Sequence, residues 1–308
     1  MPLRQTRLLS ALLLIAATSL AGAAEAAPST ADRVRERVLR MTDFFDTMLP
    51  GVLDQENITI SFKPKFGDLR DEEYMRFPIE LRYGYTDRLE FQTGLVPFTP
   101  SPFNSGRDHR WGLGEGKLGA KYDVGKTLGF FDDTTIGLEN RIPLGKPPVE
   151  LNDHYTHVKA FISAARELRM WPSTTLYTNL SYDRSVKLTQ RGDPPPEVER
   201  RHVLEFAPGL LYKPNQFAYF TEYRIRHLDE EIGYRLGHEI QFGTIWDIPL
   251  QRTADWKLPG KWQLELAYKV GHEEGRDTDH GISARVNWRT TLREVLEHTK
   301  SVKLWPGK

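Results

Sequence analysis

The stretch YMRFPIELRYGYTDRLEFQTGL, residues 74–95, decides the fold. Large apolar side chains fall on every second position from Met75 to Tyr85, and charged residues, proline or glycine fall between them. After residues 86–88 the alternation restarts and continues to Leu95. A period of two is typical of β-strands with one apolar and one polar face, and the break predicts a tight hairpin. The apolar face points inward in a water-soluble protein, but it points outward to lipid in an outer-membrane barrel.

The composition of the whole chain excludes several classes of protein. Its 308 residues contain no cysteine, and 42 basic residues balance 42 acidic ones. The neutral balance argues against a general nucleic-acid binder, which would carry a basic excess. Without cysteine there can be no disulfide, thiol nucleophile, zinc–thiolate site or lipid-modified N-terminal cysteine. The length permits one large β domain.

The N-terminus carries the pattern of an export signal. Arg4 and Arg7 precede an apolar run over residues 8–20, and small residues follow directly up to residue 27. This order is typical of a secretory signal peptide, so we expect residues 1–26 to be removed by cleavage. The alternative, an anchoring helix, requires a longer apolar core. Export predicts a location in the outer membrane of a diderm bacterium if the strands form a barrel.

Residues 27–54, between the signal peptide and the first predicted strand, have a different pattern. Apolar residues recur at helical spacing between residues 29 and 53, among several arginines. The pattern predicts one amphipathic helix that ends near Pro50. Two interpretations stay open, because the same apolar stripe suits both. The helix either plugs or covers the barrel from the periplasm, or it only packs against one end of the domain.

Period-two runs repeat about twelve times between residues 57 and 292. An even number of strands is what bacterial outer-membrane barrels require. Many runs last about 9–12 residues, near the about 9–11 of a tilted membrane strand, whereas soluble strands have a mode of about 5–6. The sequence therefore predicts an all-β fold: an antiparallel up-and-down transmembrane β-barrel of about twelve strands over residues 55–292. A C-terminal tail, residues 293–308, follows it.

Two further patterns favour lipid over water on the apolar side. Predicted connections are mostly short on one side and long on the other, as in barrels with short periplasmic turns; the long connection over residues 247–260 is the exception. Aromatic residues also fall at one predicted rim of the apolar face. They are Tyr85, Tyr122, Tyr212, Phe217, Trp246, Trp262 and Trp288. Such an aromatic girdle is typical of membrane barrels, whereas the alternative of a secreted soluble β protein does not explain it.

Three short segments resemble a known bacterial family. Residues 112–122, GLGEGKLGAKY, resemble the G-x-G-D-x-x-x-x-x-K-Y signature of the outer-membrane transporter-like family called "MetA-pathway of phenol degradation". Residues 83–90, YGYTDRLE, resemble its Y-G-x-T-D-R-L-E hairpin, and residues 142–145, IPLG, resemble its L-P-x-G segment. The resemblance implies an outer-membrane channel for hydrophobic or aromatic compounds. Glu115 departs from the signature, and the tail departs from the usual terminal aromatic strand residue.

Charged residues on the predicted inward face are the candidate functional site. They are Glu80, Arg82, Glu90, Lys117, Lys121, Glu139, Arg141, Lys159, Glu222, Arg224, Arg226, Glu239, Glu265, Lys269, Arg285 and Arg289. Inward placement is expected because a charge facing lipid at mid-bilayer costs about 2–4 kcal/mol. One interpretation is a pore lining for passive diffusion of small solutes, with a mild anion preference because basic residues predominate. The alternative is a non-conducting scaffold filled by cross-strand ion pairs.

No constellation of residues indicates an enzyme. Lipid-modifying outer-membrane enzymes need a Ser–His pair at the lipid-facing rim with an orienting third group, and no strand offers one in a recognisable motif. Such an enzyme is the less favoured alternative, after the channel and the scaffold. We therefore expect no catalytic residue, no metal and no cofactor. His154 and His157 form an H-x-x-H pattern, which we interpret as part of a solvated loop. The expected partners are outer-membrane lipid, a small-molecule solute and the outer-membrane assembly machinery, with no nucleic acid; the oligomeric state stays open.

Overall fold

The described part of the chain forms fourteen β-strand segments and two short helices in the computed structural model. The structure describes residues 47–66, 74–101, 111–126, 130–145, 155–168, 170–171, 173–188, 201–230, 233–256, 258–274 and 278–301. The predicted signal peptide, residues 27–46 of the predicted helical segment and residues 302–308 of the tail lie outside these ranges.

The strands have the following bounds. They are β1 Asn57–Phe62, β2 Lys65–Phe66, β3 Tyr74–Arg76, β4 Ile79–Thr86, β5 Leu89–Pro100, β6 Gly112–Asp123, β7 Asp133–Pro143, β8 Tyr155–Glu167, β9 Thr174–Leu188, β10 Arg201–Tyr212, β11 Phe217–Glu230, β12 Gly233–Asp247, β13 Lys261–Glu273 and β14 Asp279–Thr291. The helices are α1 Leu250–Asp255 and α2 Leu292–Ser301.

The sheet closes on itself as a barrel of twelve antiparallel strands. From β4 onward each strand pairs with the next along the chain, and β1 pairs with both β4 and β14. The short β2 continues β1 along β14, and β3 continues β4 along β5, so four segments make two strands of the barrel. The predicted all-β class, antiparallel order and strand number are confirmed.

Prolines cause the two interruptions. Pro64 separates β1 from β2, and Pro78 separates β3 from β4. Proline has no backbone N–H to donate to a neighbouring strand, but its carbonyl still accepts. Thus Lys63 N donates to Pro78 O at 2.8 Å, and Ala284 N donates to Pro64 O at 3.2 Å.

The apolar face of the barrel is its outside. Leu266 and Leu118 are 59% and 56% exposed, whereas Glu90 and Lys121 are 0% and 1% exposed. The same division of exposed apolar and buried charged side chains recurs around the barrel. This is the reverse of a water-soluble β domain and matches a surface that faces lipid.

The two ends of the barrel differ. Short connections such as residues 87–88 and 213–216 lie at the end where β1 begins and β14 leads into α2. We call it the short-turn end. We call the opposite one the loop end, because β5 and β9 end there and long stretches of sequence, residues 101–111 and 189–200, separate them from the next strand. The long connection that departed from the predicted pattern contains α1.

The predicted aromatic rim lies at the short-turn end. Phe217 stacks on Trp246 with ring centroids 6.0 Å apart, and Trp262 stacks on Trp288 at 6.1 Å. Both indole N–H groups of the second pair donate to the Pro259 carbonyl oxygen at 2.8 Å. The indole N–H groups of Trp262 and Trp288 are therefore hydrogen-bonded to the connection that contains Pro259, while the ring faces cover the outer wall.

The prediction of a helix is wrong for the part of it that the structure describes, from Thr47 onward. Residues 47–54 contain no helix, and their chain enters the barrel. Gly51 and Leu53 donate their backbone N–H groups to Thr135 and Glu90 of the barrel wall. An α-helix would use these donors internally, so polar wall groups compete successfully with helical hydrogen bonds.

Candidate functional site

Residues 47–54, here called the N-terminal segment, lie inside the barrel at the short-turn end. The side chains of Leu49, Val52 and Leu53 are all buried. Leu49 belongs to an apolar core formed with inward-facing residues of six strands. Its partners are Ala165, Tyr177, Leu211, Ala218, Phe220, Ile245 and Ala267. This end of the lumen is therefore filled by protein.

Polar wall residues hold one side of the N-terminal segment. The Thr47 hydroxyl donates to Glu222 Oε1 at 2.6 Å and accepts from Arg224 Nη2 at 2.7 Å. The Met48 carbonyl accepts a hydrogen bond from Asn179 Nδ2 at 3.0 Å and another from the Ser163 hydroxyl. Main-chain and side-chain groups are thus both tied to the wall between β8 and β11.

The segment then crosses to the other side of the barrel. Gly51 N donates to Thr135 Oγ1 on β7 at 2.6 Å, and Leu53 N donates to Glu90 Oε2 on β5 at 2.8 Å. These bonds satisfy backbone donors that would otherwise be buried without partners. The segment therefore spans the lumen as an internal strap.

A glycine on the wall permits its close approach. A Cβ atom at Gly84 of β4 would lie 2.6 Å from the Leu53 carbonyl oxygen and would also collide with the Asp54 carbonyl. These obstacles are backbone atoms, which cannot swing aside as a side chain can. Any larger residue at Gly84 must therefore displace the N-terminal segment.

A buried ion pair lies next to this strap. Arg82 of β4 binds Glu90 of β5 through two hydrogen bonds, of 2.6 Å from Nε and 2.9 Å from Nη2. This bidentate geometry is the strongest form of carboxylate recognition by a single side chain. Because Glu90 also accepts from Leu53 N, the pair links the wall to the strap.

Arg224 is the centre of a second buried network. Its guanidinium lies 2.9 Å from Glu222 Oε1, 3.2 Å from Glu239 Oε1 and 3.8 Å from Glu205 Oε2. Three carboxylates around one guanidinium leave excess negative charge. The neighbouring strands compensate: Lys159 lies 3.6 Å from Glu205, completing a network that spans β8, β10, β11 and β12.

The network becomes more solvated toward the loop end. Arg226 and Lys269 both contact Glu239, at 2.7 Å and 3.6 Å, yet their side chains remain 36% and 32% exposed although they face inward. Water therefore reaches the inner wall on this side. Deeper in the barrel, Arg285 contacts Glu265 at 3.3 Å and both are buried.

Two further clusters complete the inner wall. Glu80 binds Lys63 closely and lies 3.7 Å from Lys117. Asp183 binds Arg141 closely and lies 2.9 Å from His157 Nδ1. These pairs bring together opposite charges from the same part of the wall, and Arg141 and Asp183, for example, lie on β7 and β9 with β8 between them. The pairing offsets the cost of removing each charge from bulk water.

All sixteen residues of the predicted site face the interior in the structure. Lys117 and Arg141 are directly opposite on β6 and β7, as the predicted order of the strands requires. Whether these residues line a conducting path stays a prediction.

The predicted inward set was incomplete. The structure adds one base, Lys63, and four acids, Asp123, Asp133, Asp183 and Glu205, all buried on the same face. Each is in phase with an inward residue of its own run, so the period of two could have revealed them. They bring the two signs near balance and remove the positive excess on which the expected anion preference rested.

The interpretation of the H-x-x-H pattern as a loop is wrong for one of its members. His157 lies in β8 in phase with the inward residues Lys159 and Phe161, so it faces the lumen, where Asp183 binds its ring. His154 lies outside the described residues. Within the described ranges no group of three or more His, Asp or Glu residues is placed to hold a metal, and no helix is long and apolar enough to cross a membrane.

Comparison with solved structures finds other membrane barrels. The "COG4313 outer membrane channel" from Pseudomonas putida F1 is similar over 81% of this chain and all of its own, with a TM-score of 0.54 and 12% identity. The NanC and KdgM porins have TM-scores of 0.44 and 0.43 at 10% and 9% identity. They cover 76% and 75% of this chain and 98% of their own. At such identities the similarity establishes the fold alone.

No family model matches the chain, and no curated protein matches it by sequence. The resemblance to the phenol-degradation family is therefore not confirmed at the level of the family. The general expectation of a β-barrel fold of the outer-membrane type is supported.

Proposed function

We propose that this protein is an outer-membrane channel for passive diffusion of small solutes, closed at the short-turn end by its N-terminal segment. The proposal is based on the N-terminal segment, residues 47–54, which is not a strand of the barrel wall and packs inside the barrel. It is held by hydrogen bonds that can exchange with water. The apolar outer face and the predicted signal peptide support a location in the outer membrane.

Solvent access to the inner wall favours a path over a solid scaffold. Arg226, Lys269 and Arg141 face inward but keep 36%, 32% and 28% of their side chains exposed. Residues at the short-turn end are instead sealed by the strap. The barrel therefore has solvent-exposed residues on its inner wall toward the loop end and the strap at the short-turn end. Movement of the strap would open a path through the barrel.

Small apolar or aromatic compounds are the proposed solutes. Tyr74 and Phe98 face inward near the loop end, both buried, with their rings in edge contact at 5.8 Å. The neighbouring Val96 is also buried and inward-facing. These side chains are covered in this structure, and an aromatic solute that displaced their cover would meet ring faces and edges suited to stacking and edge contacts. The resemblance of residues 112–122 to a phenol-related family supports the same class.

Deletion of residues 27–53 from the mature chain tests the proposed closure. We expect the deletion variant to conduct more ions in planar bilayers than the full chain, because the strap no longer fills the lumen. Heat-modifiable gel mobility serves as the control that both barrels are folded. Equal conductance from two folded barrels would contradict the proposed role of the strap.

Uptake into liposomes tests the solute class. Phenol should enter vesicles containing the protein faster than protein-free vesicles, and the facilitated rate should exceed that of a neutral hexose. Faster entry of the sugar would support the channel function but contradict the proposal that the solutes are aromatic.

The second candidate function is a non-conducting scaffold. The closed ion-pair networks around Arg224 and Arg82 favour it, since paired charges can fill a narrow barrel without serving solutes. It predicts no conductance at any voltage and no solute uptake, both for the full chain and for the deletion variant.

A further inference from the structure

Five consecutive strands each carry one histidine on the lipid-facing side, in the half nearer the loop end. They are His202 of β10, His227 of β11, His238 of β12, His272 of β13 and His280 of β14. Each alternates with an inward neighbour in its strand, for example Glu239 beside His238 and Gly281 beside His280. Five of the nine histidines of the chain therefore form one row, here called the histidine belt.

Tyrosines on adjacent strands bind three members of the belt in the same way. The distances from the hydroxyl oxygen to Nδ1 are 3.0 Å for Tyr182 and His202, 2.7 Å for Tyr223 and His238, and 2.6 Å for Tyr268 and His280. The rings also lie against each other, with centroids 6.0–6.2 Å apart. Three repeats of one geometry are more than isolated surface contacts.

This geometry determines what the imidazole presents outward. In the tautomer with an unprotonated Nδ1, this atom accepts a hydrogen bond from the phenol hydroxyl, and the neutral ring carries its proton on Nε2. If the ring gains a second proton, the phenol oxygen becomes the acceptor and Nε2–H still donates. In both protonation states the bound tyrosine orients an N–H donor from the edge of the ring away from the hydrogen bond.

Charged residues lie beside the belt on the same outer face. Arg184 is exposed on the same face, and its Cα is directly opposite that of His202. The carboxylates on this face are Asp229, opposite His202 on β11, and Glu274, which follows β13. The belt thus offers several N–H donors and one permanent cation to a ligand at its level.

The belt covers only part of the circumference. At corresponding outward positions on β6–β8 the described residues include Leu113, Asn140 and Val158, and no histidine occurs among the described outward positions of these strands. A general membrane girdle would run around the whole barrel. The concentration on β10–β14 indicates a patch with one kind of ligand.

We propose that the histidine belt binds the phosphate groups of outer-leaflet lipopolysaccharide. The loop end is the outer side of barrels with short periplasmic turns, so the belt lies near the outer head groups. Phosphate oxygens are anionic acceptors, which match imidazole N–H groups and the Arg184 guanidinium. The proposal rests on the outer-membrane location and not on conduction.

Titration with two forms of one lipid tests the proposal. Purified full-length protein in detergent is mixed at neutral pH with bisphosphorylated lipid A or with its dephosphorylated form, and bound lipid is counted by native mass spectrometry. We expect the wild-type protein to prefer the phosphorylated form by about tenfold, a ratio equivalent to about 1.4 kcal/mol. Substitution of His202, His238 and His280 by Gln together should bring this ratio close to one.

A matched control uses a histidine that faces the other way. His157→Gln changes an inward residue bound to Asp183, so its lipid preference should equal that of the wild type. Heat-modifiable mobility shows whether the triple variant is folded. If it is not, the variants Tyr223→Phe and Tyr268→Phe are used instead. They remove the hydrogen bonds to His238 and His280 but keep both imidazole rings, and they should reduce the preference for the phosphorylated lipid. Equal binding of both lipid forms by the wild type would overturn the proposal. So would a triple variant that keeps the preference, or one that changes only the oligomeric state.

Discussion

Thr47 donates a 2.6 Å hydrogen bond to the carboxylate of Glu222, a residue 175 positions away. The same carboxylate oxygen accepts from Arg224 at 2.9 Å, and Arg224 also donates to the Thr47 hydroxyl. The strap is therefore part of the charged network of the wall. If the barrel opens as proposed, opening must exchange these bonds for bonds to water, which would couple it to the charges of the wall.

Replacement of Gly84 by Ala should loosen the strap without removing any charge. The added methyl group would lie 2.6 Å from the Leu53 carbonyl oxygen. Overpacking of this kind costs about 1–3 kcal/mol, and each 1.4 kcal/mol changes a population tenfold, so the open fraction should increase by about five- to 150-fold. Single-channel recording in planar bilayers would show this as more frequent or longer openings.

Gly271→Ala is the matched control for that variant. Its Cβ would lie no closer than 3.7 Å to the nearest atom, the His238 carbonyl oxygen, which is an ordinary contact. Gly271→Ala should therefore leave the channel activity unchanged. If both variants behave as the wild type does, the strap does not control access.

Glu90→Gln should destabilise the barrel strongly. The substitution leaves the Arg82 guanidinium buried without its ionic partner and weakens the acceptor of the Leu53 N–H. Breaking a buried pair from one side costs about 3–5 kcal/mol. Urea titration of folded protein in detergent, followed by gel mobility, should show a lower unfolding midpoint.

The exposed pair Arg293 and Glu297 on α2 provides a comparison. Their ion pair of 3.0 Å joins two largely exposed side chains one helical turn apart. Exposed pairs of this type contribute about 0.3–0.5 kcal/mol, so Glu297→Gln should scarcely move the midpoint. Equal effects of the two substitutions would show that the Arg82–Glu90 pair is not buried as described.

Removal of two half-exposed cations should make the channel prefer cations. In the double variant Arg226→Gln and Lys269→Gln, Glu239 keeps Arg224 but loses its two solvated partners. A charge at 4 Å in water changes the energy of an ion by about 1 kcal/mol, so the cation-to-anion permeability ratio should increase about fivefold per charge. The reversal potential in a potassium chloride gradient measures this ratio. An unchanged potential would place the ion path away from Glu239.

Arginine substitutions on the outer wall should depend on depth. Leu266 lies in the middle of β13 and faces outward, so Leu266→Arg places a charge at mid-bilayer and should cost about 2–4 kcal/mol. Tyr85 lies at the short-turn rim, where the corresponding cost is about 0–1 kcal/mol. Folding into lipid vesicles, measured by the yield of heat-modifiable barrel, should distinguish them. Equal yields would argue against a lipid-facing outer wall.

The order and number of the strands could be predicted from the sequence because each strand carries its own signal. Alternation such as Leu81, Tyr83 and Tyr85 against Glu80 and Arg82 defines both a strand and its two faces. The interruptions at Pro64 and Pro78 are also local, since they follow from a missing N–H. The charged residues could be assigned to the inside of the barrel because a charged side chain that faces lipid is energetically costly.

Contacts between distant residues could not be predicted in this way. The helical pattern before Pro50 continued into residues 47–49, but the wall acceptors Thr135 and Glu90 decided the backbone of residues 51–53. Similarly, His157 was predicted to lie in a loop, but β8 begins at Tyr155, and the ring contacts Asp183 of another strand. Sequence spacing contains no information about which strand supplies the partner.

The sequence by itself determined an antiparallel barrel with an apolar outside and a charged inside, because period-two alternation and the cost of a buried charge act residue by residue. Only the tertiary structure decided that the lumen is crossed by the N-terminal segment and which inward acid each inward base contacts. These features depend on closure of the sheet, which sets side by side residues that are far apart along the chain, such as Thr47 and Glu222.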